Sequence, residues 1–169
     1  MKFFILPPLI SVLLLNYIGY SNKEKMSTAI HLDQTPQVEK FKDKTDFKFI
    51  MPTKLPKDWI LEIKEPTEES KESEKIQLVR LNYLDKTDTY LMVSIAETKS
   101  NGKLDDFGEN LKIKGINAIF QKLLPTEKYK EVTGGTLMWI QGDTLISLFS
   151  SRLSKAELVQ IAESMISEQ

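Results

Sequence analysis

"GGTLMWIQGDTLISLFSSRLSKAELVQIAESMI", residues 134–166, decides the fold. Gly142-Asp143 suits a two-residue hairpin loop between two alternating runs. That loop sets Gln141 opposite Thr144, Trp139 opposite Ile146 and Leu137 opposite Leu148. Cross-strand partners point the same way, so the last four side chains share one face, the expected core face. The opposite face, with Met138 against Ser147 and Thr136 against Phe149, is more mixed. A helix follows. Ser154 caps it and Glu157 stands at the third helical position, which makes a reciprocal capping box. Leu153 and Leu158 form a hydrophobic staple across the cap. Leu158, Ile161, Ala162, Met165 and Ile166 then fall at i, i+3, i+4, i+7 and i+8, one apolar stripe to lay on the sheet.

Upstream, the same two-residue period recurs. "KIQLVRLNYL" puts Val79, Leu81 and Tyr83 on one face. "TYLMVSIAE" returns after a short polar turn with Leu91, Val93 and Ile95 on one face, a second hairpin. "FKFIMPTKLPKDWILEIKEP" reads as two short extended pieces around a proline-rich corner, with Trp59, Leu61 and Ile63 aligned. Residues 65–75 read as an acidic loop, "SNGK" as a turn, and residues 103–110 as irregular or one helical turn. "LKIKGINAIFQKLL" carries two strand pieces broken at Gly115, a bulge or tight bend. The expected fold class is α+β: a mostly antiparallel sheet with a C-terminal helix packed on one face, preceded by an N-terminal apolar helix.

The chain has 169 residues and no cysteine, which excludes disulfides, thiolate metal sites and thiol catalysis. Residues 47–169 hold 17 Lys+Arg against 19 Asp+Glu. A nearly neutral domain offers no electrostatic footprint for a polyanion, so nucleic acid is not an expected partner. Residues 3–20 are almost entirely apolar, with Lys2 before them and Lys23-Glu24-Lys25 after. Pro7-Pro8 interrupts the run and leaves twelve unbroken residues, 9–20. That length fits a secretory signal, while neighbouring protein can rescue prolines in a retained anchor. A buried helix of a soluble protein is a third reading. The charge flanks favour a cytoplasmic N-terminus and a domain outside. The division expected is residues 1–20 as signal peptide or signal anchor, 21–46 as polar linker, and 47–169 as the extracytoplasmic domain.

"YIGYSNKEK" resembles the end of a bacterial lipoprotein signal. Gly19 is the small residue, Tyr20 stands where the lipidated cysteine would be, and Ser21 opens the polar stretch that follows. Without sulfur the lipid cannot be attached. Gly19 and Ser21 also offer small residues for ordinary cleavage after Ser21. Gly19, Tyr20 and Ser21 are therefore the candidate processing region.

"LPKDW", then a strand ending "LNY", then "IKGINAIF", then residues 137–165 resemble an extracytoplasmic family of domains of unknown function from Gram-positive, endospore-forming bacteria. That family forms the outer domain of membrane-anchored anti-sigma factors and occurs in small lipoproteins. The resemblance covers roughly residues 47–166 and implies an α+β fold and an outside location. It carries no catalytic residues. The anti-sigma members have a cytoplasmic domain before the span; here only Met1-Lys2 precede the apolar run, so direct sigma-factor sequestration is not expected.

No enzyme constellation is legible. The single histidine, His31, lies in the polar stretch without a ligand partner at metal spacing. Gly134-Gly135 precedes a strand rather than a helix, so it is no phosphate loop. Asp105-Asp106 and Glu68-Glu69 read as solvated loop charges rather than an acid–base pair. Lys112 and Lys114 read as a solvated strand face. Trp59 and Trp139 read as core, with stacking on a sugar or lipid-like ligand as the alternative. No catalytic, cofactor or metal site is expected, and no cofactor. Tyr90, Met92, Met138 and Phe149 are the candidate interaction face, on the side of the sheet away from the helix. The expectation is a non-enzymatic interaction or sensory domain, secreted or held at the membrane facing outside. Its partner would be a membrane or cell-envelope protein, with the bilayer itself reached through residues 3–20 if uncleaved. The alternative is a binding or carrier module for a lipid or cell-wall fragment.

Overall fold

The computed structural model describes residues 41–64, 75–104, 107–127, 130 and 132–166. All of them fall in one compact unit. The expected N-terminal apolar helix, the processing residues Gly19, Tyr20 and Ser21, and His31 lie outside the described residues.

Seven strands form one sheet: β1 Trp59–Lys64, β2 Leu78–Asp85, β3 Leu91–Lys99, β4 Glu109–Ile113, β5 Ile116–Lys122, β6 Gly135–Gln141 and β7 Thr144–Ser150. Their order is β1-β2-β3-β7-β6-β5-β4. Every neighbouring pair is antiparallel. The sheet is thus two meanders joined where β3 meets β7. Among the described residues, the helix α1 Lys155–Met165 contacts β4, β6 and β7.

The decisive hairpin forms as its sequence dictates. Gln141 pairs with Thr144, Trp139 with Ile146 and Leu137 with Leu148. Gly142 takes φ +63°, which suits the first position of a type II′ turn. Trp139, Ile146, Leu137 and Leu148 are all fully buried. The Trp139 indole N–H donates to Gln141 Oε1 at 3.3 Å, which meets its one polar requirement.

Residues 114–115 make a full reversal rather than a bulge or bend. Lys114 and Gly115 take φ +45° and +86°, the two left-handed positions of a type I′ hairpin turn. β4 therefore pairs with β5 through that turn. Residues 109 and 110 belong to β4, and the irregular stretch before it ends at Gly108.

α1 begins with the expected capping box. Ser154 accepts from the Glu157 backbone N–H, and the Glu157 carboxylate accepts from the Ser154 N–H at 2.7 Å. The Ser154 hydroxyl and then the Ser154 N–H, both donating to the Glu157 carboxylate, hold that carboxyl below its ordinary value. Leu158, Ile161, Ala162, Met165 and Ile166 are buried against the sheet. A Ser154→Ala variant is expected to lose about 1 kcal/mol of stability. Its urea midpoint should fall with no change in slope, because one cap is lost and no surface class changes.

The helix does not cover the core face alone. Residues 46–58 run along it in the opposite direction, over the β1–β3 half. The Lys48 carbonyl accepts from Thr144 Oγ1 at 2.7 Å, and the Ile50 N–H donates to Glu97 Oε2 at 2.9 Å. Farther along, the Thr53 hydroxyl donates to the Ser164 carbonyl at 2.8 Å, tying this strap to the helix. Phe41, Phe47, Phe49 and Ile50 join the core. Residues 47–51 are thus a packed strap rather than a strand, and Phe41, within the stretch read as linker, is buried.

The connection from β3 to β4 joins opposite ends of the sheet. The Ser100 N–H donates to the Asp143 carbonyl at one end of the sheet. At the other end, a Cβ on Gly108 would lie 2.7 Å from the Phe120 carbonyl oxygen and 2.8 Å from Ile119 Cγ2. Only glycine lets the backbone come this close.

Candidate functional site

Between the strap and α1 lies a groove of about 810 Å³. Met51, Leu55, Pro56 and Trp59 line one side. Ile161, Met165 and Ile166 line the other. Lys54, Lys114, Glu157 and Glu163 supply charge of both signs around it. Met51, Leu55 and Trp59 are only half-buried although they pack against the core. The size falls in the range of small-molecule sites. A smaller hollow of about 270 Å³ adjoins it, sharing Met51 and Met165 and edged by Lys42, Lys48 and Gln141.

The two tryptophans separate here. Trp139 is sealed in the core, while Trp59 faces the groove with its ring 6.5 Å from that of Tyr83, tilted by 42°. Lys114 also faces the groove and donates to the Ile166 carbonyl at 3.1 Å, satisfying one of the helix's last acceptors. Lys112 is exposed.

Beside the strap sits the least expected group. Glu97 is 0% exposed, on the core face between its cross-strand partners Val79 and Ile146. Its Oε2 takes the Ile50 N–H, and its Oε1 has no partner. Burial pushes its pKa up to about 8, and the Ile50 hydrogen bond offsets only part of that. The Tyr83 hydroxyl is also pushed up, by burial first and by the Glu97 charge second. Among the described residues no three His, Cys, Asp or Glu side chains converge on a metal position. A lone buried carboxyl is not an acid–base pair, since such a pair needs two groups with pKa values driven apart.

The residues singled out for an interaction face are dispersed. Tyr90 is 57% exposed beside the β2–β3 turn, with the Arg152 guanidinium 4.3 Å over its ring. Met92 sits next to the irregularity in β2–β3 pairing and packs against the core. Met138 is buried, opposite Ile119 on the outer face. Phe149 is half-buried on that face, between Thr136 and Ser94. Met138 and Phe149 lie diagonally across the adjoining strands β6 and β7. Much of the remaining outer face is polar: Ser94 donates to Asn82 at 2.7 Å, and Asn82 to Glu62 at 3.4 Å.

Residues 50–165 match the family of a domain of unknown function, DUF4367. The chain belongs to this family. The DUF4367 match begins at residue 50, inside the strap, and ends at Met165, the last residue of α1. It therefore takes in the whole sheet and both walls of the groove. Phe41, Phe47 and Phe49 add to the DUF4367 core from outside that span. No curated protein and no solved structure matches the chain. Among the described residues no helix is long and apolar enough to cross a membrane.

Proposed function

We propose that this chain is a non-catalytic, extracytoplasmic binding domain, held at the membrane or released by its N-terminal segment, which senses a ligand with an apolar body and polar ends. The observation that carries the reading is the groove, where three half-buried apolar side chains stand beside the helix although a sealed core was available to them. Methionines at both walls suit a pliable ligand, because an unbranched thioether adapts its shape. Mixed charge at the rim suits a lipid or cell-wall fragment better than a simple anion. Resemblance to the outer domains of anti-sigma factors and to small lipoproteins supports the outside location, as does the apolar run at residues 3–20.

Native mass spectrometry of the full chain, purified from its host, tests this. The expected result is a bound mass that is lost in Trp59→Ala, with the melting temperature of the bare variant little changed. Tryptophan emission should also respond to the ligand through Trp59, since Trp139 is shielded. Each protein appearing only at its own bare mass would overturn the reading.

A further inference from the structure

Among the described residues, Phe107 and Leu124 are the two most exposed large apolar side chains, at 79% and 78%. They stand on different loops, one before β4 and one after β5. Because Glu109 pairs with Phe120 across these strands, the two loops leave the same end of the sheet. Both loops are fixed at their roots. Gln121 Nε2 donates to the Phe107 carbonyl at 2.7 Å, and Gly108 is pressed against Phe120 and Ile119. The Leu123 N–H donates to the Gly134 carbonyl at 3.1 Å, and Pro125 restricts the backbone just after Leu124. Neither side chain lines the groove or the adjoining hollow. Two large apolar tips projecting from anchored loops do not form a pocket for a small ligand. Lys122, the last residue of β5, is exposed at this end of the sheet, and such a side chain lays its stem on apolar surface while its ammonium group stays in water.

We infer that Phe107 and Leu124 form a second membrane contact, inserting at the headgroup boundary of a lipid bilayer. This rests on the tethered form of the reading above. Two side chains attract a bilayer weakly, and stable attachment of weak contacts needs a second anchor. Residues 3–20 are that anchor. A tether turns the second contact into an intramolecular event at high effective concentration. Residues 21–40 span at most roughly 70 Å when fully extended, which keeps the domain near the surface.

The chain has no cysteine, so Leu124→Cys gives one site for a solvatochromic dye. The full-length labelled protein is reconstituted with phosphatidylcholine–phosphatidylglycerol vesicles and floated on a density gradient. The expected result is flotation with a blue-shifted emission. The same dye at Asn101→Cys, by the opposite end of the sheet, should show no shift. Phe107→Ser should remove most of the shift without lowering the melting temperature. Flotation without a shift overturns the second contact and leaves the tether standing. A shift that grows with protein concentration in the absence of lipid assigns the tips to self-association and also overturns it. If the chain does not float, the tether fails; a shift on adding vesicles would still uphold the contact, and its absence ends both.

Discussion

Glu97→Gln is expected to hold its stability from pH 5 to pH 9, whereas the native chain loses stability over the same range. In the unfolded chain Glu97 releases its proton near its ordinary 4.5, while in the folded protein burial holds the proton to about 8. Between those values the folded state binds more protons, so stability falls as pH rises. Below pH 4.5 both states are protonated and this group imposes no pH slope. Above 8 the full cost of an ionised, buried carboxylate with one unpartnered oxygen is present. The slope is about 1.4 kcal/mol per pH unit, so the whole window is worth on the order of 5 kcal/mol. Glutamine keeps an oxygen for the Ile50 N–H and removes the charge. Urea midpoints across the range decide it. The variant should match the native chain at pH 5 and exceed it clearly at pH 9. Parallel profiles would mean that Glu97 ionises freely in the folded state, with solvent at Oε1.

Trp139→Ala is expected to cost about 3–5 kcal/mol, a large share of the stability of a domain this size. The indole is fully buried, flanked across its two ladders by Ala118 and Ile146. Ala118 is too small to fill the space from β5. Gln141 would also lose the indole N–H, leaving its amide bond to the Met165 carbonyl, a long 3.5 Å. Chemical denaturation should show a large fall in midpoint. Trp59→Ala serves as the contrast: its half-buried ring lies at the groove, and its removal should cost far less.

Local pairing was legible in the sequence because its signals are local. A two-residue loop, a parity of two and a capping box each act within a few residues, and the β6–β7–α1 unit follows from them. Strand order is set by contacts far apart in sequence, so nothing near β3 announced that its neighbour would be β7. The reversal at Lys114 was hidden for a different reason. Gly115 signals a left-handed position, but a type I′ turn needs two, and lysine carries no such preference. Residues 46–58 have no period because they are neither helix nor strand, so Phe47 and Phe49 did not read as a second cover for the sheet. The groove was invisible for the same reason, since the strap is one of its walls. Glu97, by contrast, was within reach. It continues the parity of Val93 and Ile95, and that alternation alone places a carboxyl on the apolar face. Parity groups Tyr90, Met92, Met138 and Phe149 on one side of the sheet, but it does not show how exposed each side chain is: Tyr90 is 57% exposed and Met138 is buried.

The neighbour of β3 also sets a timetable for synthesis. β1, β2 and β3 can zip together as soon as they leave the ribosome, since they are consecutive in sequence and β2 and β3 are separated by only residues 86–90. Residues Ser94–Lys99 then wait as an open edge until β4, β5 and β6 have been made and β7 arrives. During that interval the nascent chain presents unpaired backbone beside Val93 and Ile95, the kind of edge that recruits strands from other molecules. The vulnerable moment of this protein is therefore its birth rather than its folded life, and a slowed ribosome between β3 and β7 should raise its aggregation more than a pause anywhere else.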